Sequence, residues 1–399
     1  MLAKEMLDAA ELLPASRSEV GRIQKYIALA YAAKIKLYQA YQQDETTHAV
    51  TSINKELLRE VVSLCDQVTA SNRYGLLDDF QGLDLVANEN GKESVFAIQY
   101  SMNDGTESAG RINWSNLLNS PGGGSPYGGY GFFLPSQDLI NAYQTDANGL
   151  PDFNYQSKSD YRWAVLNNGG YTLQNTTPNV DPRLDFVVGR PTITWKTYPD
   201  KPCEGWVRDK ETYGYNCAKR FWVSPESSDM FNGWPWGASQ LNWQIIRYAD
   251  ILLWKAEALI ELNEGDGLET ARDLINQIRN RARNSAYVKD FNDHSKYAAN
   301  YLVNPYPADV WNQDYARQAL RWETRLEKAL EGERFFDLVR WGIVETTMNK
   351  YITAESDNRI YYANAHFTGG KDEYYPVPNN QYGFSGGKYV QNPGYAPFN

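Results

Sequence analysis

Histidine and cysteine are scarce: three of each occur among 399 residues. His48, His294 and His366 lie far apart, and none is spaced from a cysteine or another histidine as metal ligands are, so no metal site is expected. No apolar run reaches 18 residues, which excludes a transmembrane helix. Runs of lysine and arginine are also missing, and the formal net charge is −10. A phosphate-backbone interface needs clustered cations, so nucleic acid is not an expected partner. Phosphate-binding glycine loops and nucleophile elbows are absent. The run Gly122, Gly123, Gly124 is followed by Ser125 and Pro126 where a Lys–Ser/Thr pair would be needed. No catalytic residue and no cofactor is assigned. Carboxylates are numerous, but a glycosidase pair is defined by its separation in space.

What the chain has in quantity is aromatic side chains, 14% of residues, with 12 Trp and 29 Tyr against 14 Phe. Indole and phenol rings combine an apolar face with a polar edge, which suits half-exposed binding surfaces as well as cores. The apolar fraction of 42% and charged fraction of 22% are those of an ordinary globular protein.

Periodicity divides the chain into blocks. Three helical patterns occupy residues 1–70: Leu2, Met6, Ala9 and Leu13, ending at Pro14; Ile23 to Tyr41; and Ile53, Leu57, Val61, Leu64 and Val68. Across 71–238 the periodicity dissolves into Gly, Pro, Asn and Asp, with short runs such as Ser94 to Ile98 reading as isolated strands and one short helix near 136–143. Asp146 to Asp152 resembles a calcium loop faintly, but lacks the distal Glu and reads as a turn. Helical order returns over 239–350. It starts at Leu241, breaks at Gly265 and Gly267, resumes over 268–282, and continues as a pair from 312–331 and 333–348 around Gly332. Residues 351–399 read as an irregular tail. The expected fold is mainly α: tetratricopeptide-like helical pairs forming a scaffold, with a large loop-rich region containing a few short strands.

Between residues 191 and 237 the rings concentrate: Trp195, Tyr198, Trp206, Tyr213, Tyr215, Trp222, Trp234 and Trp236. A sugar offers C–H patches to a ring face and hydroxyls to Asn, Gln, Asp and Arg around it. Trp195, Trp206, Tyr213, Tyr215, Trp234 and Trp236 are therefore the candidate ligand-binding residues, against the alternative of a minor core beneath long loops. Cys203 and Cys217 bracket part of this region. A bridge between them would stabilise by ~3 kcal/mol in the chain-entropy model; two free thiols are the alternative. Cys65, inside an apolar helical stripe, reads as a core residue.

Several motifs occur in succession. Arg247-Tyr-Ala-Asp-Ile-Leu-Leu-Trp-Lys-Ala-Glu257 is followed by Leu274-Ile-Asn276-Gln-Ile-Arg279-Asn-Arg281-Ala282 and by Leu330-Glu-Gly-Glu-Arg-Phe-Phe-Asp-Leu-Val-Arg-Trp-Gly342. Tyr375-Pro-Val-Pro378 and Gln391-Asn-Pro-Gly-Tyr395 come after them, and Asp181-Pro-Arg-Leu184, Gly214-Tyr215 and Lys219-Arg220 before them. Leu12-Leu-Pro14 with Gly21-Arg22 lies further upstream. In this order they resemble the SusD/RagB family of outer-membrane nutrient-binding lipoproteins, across essentially the whole chain. The resemblance implies one domain over 1–399 that captures an oligosaccharide or polysaccharide outside the cell without cleaving it. It also implies a SusC-like TonB-dependent transporter as partner and a lipid anchor that this chain does not carry. Family members begin with a lipoprotein signal and further helices, so the chain reads as an N-terminally shortened member. A peptide or other nutrient, a carbohydrate-active enzyme and a pure helical interaction scaffold are the competing readings. Glu331, Arg334, Asp337 and Arg340, at i, i+3 spacings, read as scaffold ion pairs.

Overall fold

The computed structural model describes residues 1–106, 110–114, 118–161, 178–191, 193–198, 205–209, 214–233 and 237–398, and the backbone of 164–167 and 170–173. Helix α1 (Leu2–Leu12) ends ahead of Pro14, which cannot continue a helix. Helix α2 (Lys25–Ala40) is dominated by small and apolar residues and is buried along Ala28, Leu29, Ala32, Ala33 and Leu37. A short hairpin, β1 (Tyr41–Gln43) and β2 (Val50–Ile53), leads into α3 (Lys55–Ala70). The Asn54 side chain caps α3 by accepting from the Glu56 and Leu57 amides. The predicted stripe of α3 is buried at Val61, Leu64 and Val68, with Cys65 as a fully buried thiol among them.

The returning helices complete the scaffold. Helix α6 (Tyr248–Leu262) is buried along nearly its whole length and packs against α2, α3, α7 (Gly267–Asn284) and α8 (Gln313–Glu327). Among the described residues between α3 and α6 lie two short α-helices, α4 (Gln137–Ala142) and α5 (Arg183–Val187), and paired strands of two to five residues. After α8 come α9 (Arg334–Arg340), α10 (Val344–Ser356) and a single turn, α11 (Asn379–Phe384), within the tail.

Two boundaries differ from expectation. Helical order does not begin at Leu241: Trp243–Arg247 is a strand, antiparallel to Ser94–Ile98, which is therefore paired and not isolated. Its aromatic and β-branched residues fit a pleated ladder, and the helix starts only where Asp250 accepts from the Arg247 amide. The expected helix over 333–348 is two helices broken at Gly342. That glycine has φ +66, and a Cβ there would lie 2.8 Å from Val50 Cγ2 on the β2 strand.

Cys217 is disulfide-bonded; Cys203 lies outside the described residues. Scaffold and loop-rich region are joined through buried charge. Arg247 reaches Glu93 at 2.8 Å, Glu327 at 3.0 Å and Glu331 at 2.7 Å. Arg281 pairs with Glu93 and Glu327, and Arg279 with Glu323. From the loop-rich side, Arg183 on α5 holds Asp181, Glu323 and Glu327, and Arg220 holds Asp84. Of the four motif charges, Glu331 joins this network through Arg247 and Lys328. Asp337 and Arg340 pair with each other, and Arg340 also binds Glu257.

Burial alone would raise the Glu327 carboxyl, but Arg281, Arg247 and Arg183 overcome it and hold it down at about 2. A folded-state value below the ordinary 4.5 means its stabilisation is complete above that value and lost as pH falls from about 4.5 towards about 2. Urea midpoints measured between pH 7 and pH 3 should therefore fall steeply for the native chain and less steeply for Glu327→Gln. Arg247→Met leaves three buried carboxylates short of a partner, and should lower the unfolding free energy by ~3–5 kcal/mol at pH 7.

Candidate functional site

The rings singled out in the sequence do not share one environment. Trp195 and Trp206 are 0% and 2% exposed, so neither offers a face to a ligand in this conformation. They meet edge to face with centroids 4.8 Å apart, and Tyr127 packs edge-on against both. Trp195 Nε1 donates to Tyr127 Oη at 2.9 Å, and that hydroxyl donates to the Val223 carbonyl at 2.7 Å. Gly189 makes this packing possible, because a Cβ there would lie 2.2 Å from Trp195 Cζ3. Indoles bury more apolar surface than any other side chain, and beneath long loops they supply the core that no regular element provides. Tyr215 is half-buried. Tyr213, Trp234 and Trp236 lie outside the described residues.

Exposed rings gather elsewhere. A cleft of about 420 Å³ opens between the segment that follows the glycine-rich loop and the end of α10. Tyr130 (45% exposed) and Phe132 (69%) form one wall, and Tyr361 (51%) stands on the other beside Tyr362 and Tyr351. Gly131, at φ +65, turns the chain between the first two rings. These lie at 26° to one another with centroids 6.1 Å apart. The Arg208 guanidinium sits 4.9 Å from the Tyr130 centroid and donates to the Gly129 carbonyl at 2.8 Å, fixing that ring from behind.

The opposite wall is a run of three phenols. Tyr361 and Tyr362 have centroids 4.5 Å apart, and the Tyr362 and Tyr351 hydroxyls are 3.1 Å apart. Burial and the hydrogen bond with Tyr362 push the Tyr351 phenol well up, so it stays protonated. The walls are tied below the rings. Arg359 donates to the Pro135 carbonyl at 2.9 Å, and the Glu355 carboxylate accepts from the Asp138 amide at 2.5 Å. Arg359 and Glu355 also face each other at 3.4 Å.

Chemically the cleft offers flat apolar faces edged by phenols, the Ser136 hydroxyl, Arg208 and Asp209. Among the described residues that line it, Asp209 is the one carboxylic acid, whereas retaining and inverting glycosidases use two. Sequence reasoning missed these residues because it followed the density of tryptophan. The usable signals were the Tyr361-Tyr362 doublet and the Tyr130-Gly-Phe132 alternation at the end of a glycine-rich loop.

Residues 92–395 match the family model described as "SusD family". The chain belongs to the SusD family. Solved SusD-like structures share the fold. One from Bacteroides fragilis is 23% identical, with a TM-score of 0.56, and the match covers 86% of this chain and 60% of that one. A SusD homologue from Bacteroides thetaiotaomicron is 19% identical, with a TM-score of 0.65 and 98% and 69% covered. A laminarin-binding SusD-like protein is 20% identical, with a TM-score of 0.54 and 98% and 68% covered. The chain thus spans 60% of the length of the first of these SusD-like proteins and about two thirds of the other two. No curated protein matches it. Among the described residues of this SusD-family chain, no helix is long and apolar enough to cross a membrane.

Trp195→Ala or Trp206→Ala should destabilise by roughly 3–5 kcal/mol, since each empties a packed ring site. Phe132→Ala and Tyr361→Ala should stay within about 0.5 kcal/mol of the native chain, because their rings face solvent. Thermal unfolding of the four variants separates core rings from surface rings.

Proposed function

We propose that the protein captures an oligosaccharide or polysaccharide at the outer face of the outer membrane, in a chain anchored by lipid, and hands it to a SusC-like TonB-dependent transporter without breaking a bond. The observation that carries the binding step is the open aromatic cleft, with Tyr130 and Phe132 facing Tyr361 and Tyr362 across about 420 Å³. Ring faces take the C–H patches of a pyranose, and the phenols, Ser136, Arg208 and Asp209 take its hydroxyls. Family membership supports the surface location and the transporter, and a laminarin-binding relative of the same fold supports a glycan as ligand. Tyr215, Tyr213, Trp234 and Trp236 remain candidate contacts for a longer glycan. A few stacked rings give modest affinity per site, and a polysaccharide bound by many copies at once gains by avidity.

Affinity electrophoresis through gels containing neutral and acidic polysaccharides tests this reading. At least one glycan should retard the intact protein. Tyr130→Ala and Tyr361→Ala should each weaken that interaction roughly tenfold, or ~1.4 kcal/mol. No retardation by any glycan, or retardation that ignores both substitutions, contradicts the assignment of this cleft.

A further inference from the structure

A second cavity, of about 350 Å³, lies at the opposite end of the sequence from the tyrosine doublet, and its charge is out of keeping with the rest of the molecule. The chain as a whole carries a net charge of −10. The lining of this cavity holds four cations, Arg17, Arg22, Arg73 and Lys92, against one carboxylate, Glu19. None of the four is held in the buried network that binds the interior arginines. Arg17 donates through Nε to the Ile23 carbonyl, a neutral partner. Arg22 faces Glu19 at 3.7 Å, both well exposed. Lys92 pairs with an Asp78 side chain that is 99% exposed. Exposed pairs of this kind contribute little and exchange readily for another anion.

The cavity is also shaped, not a flat charged patch. Gly21, at φ +81, carries the arginine-bearing loop to within contact of Gln99, just past the Ser94–Ile98 strand; a Cβ there would lie 2.4 Å from Gln99 Cγ. The Gln99 and Asn90 amides hold each other at 2.9 Å and 3.0 Å, and Gln24 donates to the Tyr74 hydroxyl at 3.1 Å. Cations, amides and the Tyr74 and Phe96 rings therefore line one cavity, the combination that an acidic sugar calls for.

We propose that this cavity is a second binding site, distinct from the aromatic cleft, for the anionic group of an acidic saccharide, either a uronate carboxylate or a sulfate ester. That the anion is carried on a sugar rests on the glycan reading above; recognition of the anion rests on the cavity alone.

Titration calorimetry with three probes tests it: an oligogalacturonate, a sulfated carrageenan oligosaccharide and neutral laminarihexaose. The double variant Arg22→Gln/Arg73→Gln, at two exposed positions, is compared with Tyr130→Ala/Tyr361→Ala. At least one acidic probe should bind the native chain, tenfold or more weakly in 300 mM than in 20 mM NaCl. The arginine variant should lose that binding tenfold or more while the tyrosine variant keeps it, and the probe that binds identifies the group. Acidic binding lost in the tyrosine variant but kept in the arginine variant overturns the second site and leaves the aromatic cleft standing. Failure of both acidic probes while laminarihexaose binds overturns it likewise. Failure of all three overturns it together with the glycan reading.

Discussion

The whole arrangement depends on charges that water cannot reach. Arg183, Arg247, Arg279 and Arg281 lie inside the molecule, and every one of them is met by buried carboxylates. Isolated, any of these ions would be prohibitively costly to bury; together they satisfy one another. The geometry is also selective. Glu327, on α8, is shared by Arg183 from the loop-rich side, Arg247 at the start of α6 and Arg281 near the end of α7. Four segments distant in sequence thus meet at this one carboxylate.

That frame is what lets the loops be long. Among its described residues, the stretch between α3 and α6 has two short α-helices and paired strands of two to five residues, yet it is pinned to the frame through Arg183–Glu327 and Arg220–Glu331. Inside it, Tyr127, Trp195 and Trp206 supply a small core of their own. With the interior so fixed, the outermost rings are backed by Arg208 behind Tyr130 and by the Glu355–Arg359 tie below the cleft. Stiff walls lower the entropy lost on binding, which matters for a ligand as weakly held as a sugar.

Helices were legible in the sequence wherever one face alone is apolar, as in α3 and α7, whose stripes are buried as the spacing predicts. The strand at Trp243–Arg247 was not, because its apolar residues run on into the helix, and only pairing with Ser94–Ile98 separates the two. The aromatic surface was legible as a quantity and not as a place. Trp195 and Trp206 are as rich in apolar area as any exposed platform would be, and nothing local in the sequence records that Gly189 clears a space for one of them. Conversely, Tyr361 and Tyr362 stand in a region that reads as irregular tail, far in sequence from the Tyr130 wall they face. The basic cavity was hidden for the same reason: Arg17, Arg22, Arg73 and Lys92 form no run and converge only through the fold.

Hydrogen–deuterium exchange on the intact protein, with and without a saturating bound glycan, tests the central claim most directly. Amides of residues 129–136 and 351–362 should exchange more slowly when the glycan is bound, while those of residues 193–198, around the buried Ile193 and Trp195, should not change. Slowed exchange around Trp195, with none in the two cleft segments, would contradict it.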